Sequence, residues 1–271
     1  MKSESSAMPA GQPGAGIYRQ RGRRLRRLLR TVGLPYLFLS PYLILFTIFF
    51  IIPLVYAFHL SLYVTRLVGG TTFAGSANYT QVFQDSNFLE GVRRMFIFGI
   101  FQVPIMLCLA LAFALILDGG SARFKTLFRL GFFLPYAIPS VVAALLWGYL
   151  YGKNFGLFAF LANWAHLPAP DFLSDAGMLP SLANIVTWQW TGYNMVIIYA
   201  ALTAIPPDLY DAATVDGANG RQVARYIKLP LVLPAIMLTT IFSIIGTLQL
   251  FNEPQIMSTL APGVIQDHYT P

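Results

Sequence analysis

The sequence predicts an all-α integral membrane protein, a polytopic helical bundle, and three observations carry that prediction. Hydrophobic residues make up 56% of the 271-residue chain, charged residues only 11%, and the mean hydropathy is +0.61. Such a composition cannot form the skin of a water-soluble globule. Apolar runs recur at lengths suited to a bilayer core about 30 Å thick, which takes roughly 20 residues of helix. Lys and Arg gather on alternate connections between those runs, the asymmetry that orients membrane helices. Strands are excluded as spanning elements, because the runs are too long for them and lack apolar/polar alternation.

Five runs read as spans: Leu34 to Tyr63, Met95 to Leu117, Phe132 to Tyr151, Leu182 to Leu202, and Leu231 to Phe251. The first follows the basic stretch RQRGRRLRRLLR and has to be distinguished from a secretory signal. Its basic part begins only near Arg19, and its apolar part far exceeds the roughly 7–15 residues of a signal core. No small-x-small cleavage site closes it, so the run reads as a retained anchor. Residues 1–17 ahead of it are small and Pro/Gly/Ser-rich, a composition that predicts disorder.

A cytoplasmic N-terminus places Lys2, Arg19, Arg21, Arg23, Arg24, Arg26, Arg27 and Arg30 inside. Arg123, Lys125 and Arg129 then occupy the second inside loop, and Arg221, Arg225 and Lys228 the third. Only Arg66, Arg93, Arg94 and Lys153 of the 18 basic residues fall outside, as the positive-inside rule requires. The net charge of +7 is thereby explained by membrane orientation. An arginine-rich tail can also bind nucleic acid, but a basic cluster beside anionic lipid is the ordinary reading, and no nucleic-acid partner is expected.

The outside loops are Arg66 to Gly91 and Gly152 to Pro180. PAPDFLSDAGMLP carries turn signals, and Phe155 to Trp164 fits a short helix lying on the membrane surface. The single Cys108 sits mid-span and supports neither a disulfide framework nor a cysteine metal site. No G-x-x-x-x-G-K-[ST] loop is present, so this chain does not cradle ATP phosphates. His59, His166 and His268 are scattered, and no carboxylate pair shares a helix face within a span, which weighs against a membrane enzyme. The middles of the spans hold no charge, which weighs against a proton-driven carrier.

The last inside loop, between the fourth and fifth spans, contains DAATVDGANGRQVARYIKLP, Asp211 to Pro230. IPPDLYDAATVDGANG reads as a short helix entered through Pro206 and Pro207, with Leu209, Ala212 and Ala213 on one small apolar face. Gly217 breaks it, and RQVARYIKLP forms a second helical piece ending before Pro230, with Val223, Tyr226 and Ile227 on one side. Such a knob is too polar for lipid and too small to fold alone, so it needs a partner.

At these residues the chain resembles the binding-protein-dependent ABC importer permeases of the carbohydrate, maltose-permease-like type. Asp211-Ala212-Ala213, three residues, Gly217, nine residues, then Ile227-x-Leu229-Pro230 is similar to their EAA loop, E-A-A-x3-G-x9-I-x-L-P, with Asp in place of the first Glu. SANYTQVFQDSNFLEGVRRMFIFG and FRLGFFLPYAIPSVVAALLWGYLY resemble the approach to the second span and the third span of sugar permeases. The resemblance covers roughly Leu34 to the end. It implies a transmembrane permease subunit of an ATP-driven importer for a sugar or sugar derivative, in a bacterial or archaeal cell (inner) membrane. The implied partners are a second permease subunit, ATP-binding cassette ATPase subunits that bind the ATP, an extracytoplasmic solute-binding protein and membrane lipid. Asp211, Ala212, Ala213, Gly217, Ile227, Leu229 and Pro230 would couple the chain to the ATPase. The rival readings are a membrane enzyme, a non-transporting scaffold or an inactive truncated permease.

Uncharged sugars are held by hydrogen-bonding side chains and aromatic faces. Gln189, Trp190, Tyr193 and Ile197 share one stripe of the fourth span, and Ser243, Gly246, Thr247 and Leu250 one stripe of the fifth. Of these, Gln189, Trp190, Tyr193, Ser243 and Thr247 are the candidate substrate-pathway residues, the alternative being that they pack helix against helix. Tyr193 and Ser243 coincide in type with places lining the sugar site of maltose-type permeases, whereas Gln189, Trp190 and Thr247 differ. The expected organisation is a basic tail over 1–33, a first span and outside loop over 34–94, and a permease core over 95–271 that includes the coupling loop 205–230. Relatives carry a sixth span, whereas this sequence stops at Pro271 after APGVIQDHYTP, so the expectation is a chain lacking its final span and transporting little on its own.

Overall fold

The computed structural model describes residues 34–66, 68–119 and 124–265. The basic tail over 1–33, Arg123 and His268 lie outside them. The chain divides into two compact units, Met1–Gln81 and Val82–Pro271.

In the first unit, α1 (Leu34–Phe46) runs through a π turn (Thr47–Ile51) into α2 (Ile52–Ser61), one helix from Pro35 to Ser61 long and apolar enough to cross a membrane. Phe38, Phe49 and Tyr56 are exposed along it, as suits a lipid solvent. The run was expected to stay helical to Tyr63, but Tyr63 opens a hairpin, β1 (Tyr63–Arg66) against antiparallel β2 (Gly70–Phe73). Gly69 and Gly70, both at positive φ, supply the reversal. Asn78, on α3 (Ala77–Gln84), donates to the carbonyls of Ser61 and Tyr63 and fastens the hairpin to the end of α2.

The second unit is helical among its described residues. α4 (Ser86–Asp118) is 33 residues long and starts at Ser86 rather than Met95, because the Asp85 carboxylate caps it by accepting from the Asn87 N–H. The third run was expected as one continuous span. It is instead two helices, α5 (Lys125–Ala137) and α6 (Ser140–Leu150), bent by 98°. Pro139 has no N–H to continue the ladder, and it forces Ile138 into extended geometry at φ −80°, ψ 127°. α7 (Leu157–Trp164) lies where the surface helix was expected.

α8 (Asp175–Thr203) starts inside the segment read as loop: the Ser174 hydroxyl accepts from the Gly177 N–H, and the helix continues through Pro180 in its second turn. After α9 (Asp208–Val215) comes α10 (Gly220–Val223), then a π turn (Ala224–Lys228), then α11 (Leu229–Leu248). These last three form one helix, Gly220–Leu248, of 29 residues. The second loop piece therefore does not stop before Pro230. Pro230 falls in the first turn of α11, and the π turn before it accommodates the missing donor. α12 (Asn252–Leu260) packs against α6.

By length and composition, three helices among the described residues suit a membrane crossing, or four if the bent pair α5/α6 counts as one. α8 is not among them despite its 29 residues, since polar side chains interrupt its apolar face. Those polar groups point inward: Ser181, Gln189, Thr191 and Asn194 are buried. α8 is the hub, packed against α4, α5, α6, α11 and α12. Two apolar clusters flank it, one around Met178, Ile185 and Met257, the other around Leu117, Met195, Ile198 and Val232. α5 meets α8 backbone to backbone at Gly192, where a Cβ would overlap the Phe132 carbonyl oxygen. Gly192→Val is therefore expected to force α5 off α8 and sharply reduce the yield of folded, monodisperse protein in detergent, measured by size-exclusion chromatography. A normal profile would show that this contact tolerates a side chain.

Candidate functional site

A cavity of about 260 Å³ opens in the second unit where α4, α6, α8, α11 and the start of α12 converge. Trp190, Tyr193, Ser243 and Thr247 line it, so four of the five candidate pathway residues come together. Gln189 does not. It is buried on another face of α8, and its Nε2 donates to the Ile138 carbonyl at 2.8 Å, at the break between α5 and α6. Of the wider stripes, Gly246 and Leu250 line the cavity and Ile197 does not.

Two lining side chains, Trp190 and Tyr193, belong to a three-ring assembly with Tyr136. Tyr136 stacks on Tyr193 with centroids 4.7 Å apart, and Trp190 meets both edge-on at 5.2 and 5.8 Å. Offset and edge-on contacts of this kind fix ring orientation. The proline break turns the chain immediately after Tyr136, bringing that ring onto α8. Sequence periodicity shows nothing of this, because it treats Phe132 to Tyr151 as one rod.

The lining also holds residues that the sequence reading missed: Gln102 on α4, Asn194 on α8, and Asn252 and Glu253 at the start of α12. Gln102 is 1% exposed; its Nε2 lies 3.4 Å from Met106 Sδ and from Thr187 Oγ1, and its Oε1 has no partner among the described residues. Asn252 Nδ2 donates to Ser140 Oγ at 3.0 Å, tying α12 to the first turn of α6. Glu253 is 4% exposed and enters no ion pair among the described residues. Burial raises its carboxyl above the ordinary value, opposed by a hydrogen bond to its own backbone. A polar residue in the middle of an apolar span was the available signal for Gln102, whereas Glu253 lies just past the last apolar run and reads as loop.

The second constellation is the loop between α8 and α11. α9 ends in a Schellman turn: Ala218 N–H donates to Ala213 O at 2.9 Å, Gly217 N–H donates to Thr214 O at 3.1 Å, and Gly217 takes φ +76°. Two residues later Asn219 begins the next helix with a capping box. Its Oδ1 accepts from the N–H groups of Arg221 and Gln222, and Gln222 Oε1 accepts from the Asn219 N–H. The stop and the start together fix the angle between two helical pieces with hardly any loop. Ala213 is buried, whereas Asp211, Ala212 and Gly217 are exposed, as are Leu229 and Pro230, and Ile227 is half-buried.

An ion pair fastens this loop to the bundle. Lys228 Nζ donates to the Asp118 carboxylate at the end of α4, both side chains only 15% exposed. The same ammonium lies 5.3 Å from the centre of the Tyr210 ring on α9. Burial foremost, and then the Asp118 charge, push the Tyr210 phenol above its usual value, with Lys228 opposing. Removing either charge strands the other in a part-buried place, at a cost of about 1–3 kcal/mol. Asp118→Asn and Lys228→Met are each expected to lower the thermal unfolding midpoint in detergent, and the double variant to recover part of the loss. Strictly additive losses would show that the two side chains do not interact.

Residues 110–257 match the family described as the binding-protein-dependent transport system inner membrane component. The chain is 34% identical over 220 residues to the lactose transport system permease protein of Rhizobium radiobacter, covering 80% of this chain and 74% of that one. It is 29% identical over 222 residues to the arabinooligosaccharides transport system permease protein of Halalkalibacterium halodurans, with coverage of 81% and 69%. It is 29% identical over 243 residues to the trehalose/maltose transport system permease protein of Thermococcus litoralis, with coverage of 86% and 80%. Among solved structures, a bacterial alginate ABC transporter, crystallised with an alginate pentasaccharide-bound periplasmic protein, is similar at a TM-score of 0.73 and 20% identity, covering 91% of this chain and 81% of that one. A second structure, of a transporter that imports the acidic polysaccharide alginate, is similar at a TM-score of 0.71 and 21% identity, with coverage of 91% and 82%.

Proposed function

The chain belongs to the family of inner membrane components of binding-protein-dependent transport systems, and on that premise we propose that its cavity passes a sugar delivered by an extracytoplasmic solute-binding protein. The observation that carries the sugar reading is a cavity wall that combines the rings of Trp190 and Tyr193, the latter stacked on Tyr136, with the hydroxyls of Ser243 and Thr247. Sugar rings present apolar C–H faces and polar rims, and such a wall matches both. The relatives named for lactose, arabinooligosaccharides and trehalose/maltose support the same class. A second permease subunit completes the pathway, and separate ATPase subunits bind the ATP.

The loop from Asp211 to Pro230 is the coupling element in this proposal. Val215 and Tyr226 are exposed apolar side chains on it, as is Leu209 just ahead of it, and Asp211 offers a carboxylate. An exposed apolar knob with one acidic edge suits a cleft on a soluble ATPase subunit, whose closure would rock the attached helices and give alternating access. This requires the loop to face the cytoplasm. The N-terminus lies on the same side if the basic tail obeys the positive-inside rule, with the core over 95–271 as the transporting part.

Reconstitution of the chain with its partner subunits and binding protein in proteoliposomes, followed by ATP-dependent uptake of radiolabelled lactose, trehalose and arabinooligosaccharides, tests the function. Tyr193→Ala is expected to cut uptake by about tenfold or more, since it removes half of a stacked pair, while leaving assembly with the ATPase intact. Loss of assembly instead would assign Tyr193 to helix packing. Gly217→Val is expected to leave ATPase activity poorly stimulated by the binding protein and uptake largely lost, because a β-branched residue resists the positive φ that the Schellman turn uses. Normal stimulation together with normal uptake would remove the loop from the coupling route.

A further inference from the structure

We infer that the cavity selects a cargo sugar without negative charge, and that Glu253, supported by Gln102, sets this selection. The inference rests on the sugar reading above and deepens it. Two acceptors belong to residues that line the cavity, and among the described residues no other residue donates to either. Gln102 Oε1 is buried without a partner, and its orientation is held because Nε2 is committed to Met106 and Thr187. Glu253 is 4% exposed and in no ion pair among the described residues. Buried acceptors left in this condition are costly unless something donates to them. Sugar hydroxyls are donors of the right kind, and several sit along one edge of a ring.

The charge of the lining points the same way. Among the described residues Glu253 is its only ionisable side chain apart from Tyr193, and no described Lys, Arg or His lines the cavity. A uronate would bring a second carboxylate into a low-dielectric space that already holds Glu253, with no cation to receive it. The solved neighbour that imports the acidic polysaccharide alginate has the same fold, so the fold alone does not decide the charge of the cargo. The lining residues do.

The test uses the assembled transporter with wild-type, Glu253→Gln and Glu253→Asp chains. Saturation-transfer NMR on the permease–ATPase assembly without binding protein reads direct contact with lactose, trehalose and digalacturonate. Uptake in proteoliposomes with binding protein reads transport of the two neutral sugars. The wild type is expected to contact at least one neutral disaccharide and not digalacturonate. Glu253→Gln should weaken neutral-sugar uptake about tenfold, the range lost with a hydrogen bond to a charged group, and should let digalacturonate give a signal. Glu253→Asp should restore most of the discrimination. Equal contact of the wild type with digalacturonate, or unchanged behaviour of Glu253→Gln, overturns the inference while leaving the sugar reading in place. A wild-type transporter that takes up and contacts no sugar overturns both. If neither variant assembles, Glu253 is a packing residue and the inference fails.

Discussion

Everything in the second unit depends on how the bent helix pair α5/α6 is made tolerable in lipid. A bilayer offers no water to satisfy a freed backbone group, so a helix can be interrupted only where protein supplies the missing partner. The interruption at Ile138–Pro139 meets that condition through Gln189, whose amide donates to the Ile138 carbonyl at 2.8 Å. Because this donor sits on α8, the break fixes α8 against the α5–α6 corner. Close approach at Gly192 then seats α5 on the same helix. Once the corner is set, Tyr136 stacks on Tyr193, Ser140 meets Asn252, and the cavity has two of its walls.

This arrangement explains why α8 is the least lipid-like of the long helices and the most central. Ser181, Gln189, Thr191 and Asn194 would be unfavourable facing acyl chains, yet each has a use inside the bundle. Ser181 donates to the Phe172 carbonyl at 2.9 Å, Thr191 to its own helix, and Asn194 to the Trp190 carbonyl at 3.1 Å. The apolar clusters on either side of α8 then bury Ile185 and Ile198. Polar satisfaction within the helix and apolar packing around it locate the same axis.

Much of this was legible in the residues, in proportion to how local the physics is. The apolar runs mark the long helices because hydropathy acts over a whole helix length. The spacing from Asp211 to Pro230 marks the loop, and Gly217 at φ +76° is where a sequence breaker was expected. Boundaries were not legible in apolar composition, because the caps at Asp85 and Ser174 start α4 and α8 earlier than that composition does. The break at Pro139 was written in PYAIPS, but an average over a window hides a single missing N–H. The cavity was half legible. Residues at helical spacing on one span can be paired on paper, but Gln102 and Glu253 join Ser243 only through a crossing that the sequence does not encode locally. Gln189 shares a stripe with Tyr193 and nevertheless faces the broken backbone, because an unsatisfied carbonyl is a stronger claim on an amide than an open cavity.

The unbroken helix from Gly220 to Leu248 gives the proposed function a mechanical basis. Ile227, Leu229 and Pro230 lie near one end, and Ser243 and Thr247 near the other. At 1.5 Å per residue, Ile227 and Ser243 are separated by about 24 Å along the axis. A rigid rod of that length carries a tilt imposed at the loop to the cavity without any chain of intermediate rearrangements. The rod is also anchored: Lys228 grips Asp118 at the end of α4, and α4 carries Gln102 into the cavity. A displacement of the loop therefore reaches the cavity by two helices, one bearing hydroxyls and the other a free acceptor. In the proposed function, alternating access needs this property, since the side chains proposed to hold a cargo must move with the loop proposed to dock on the ATPase.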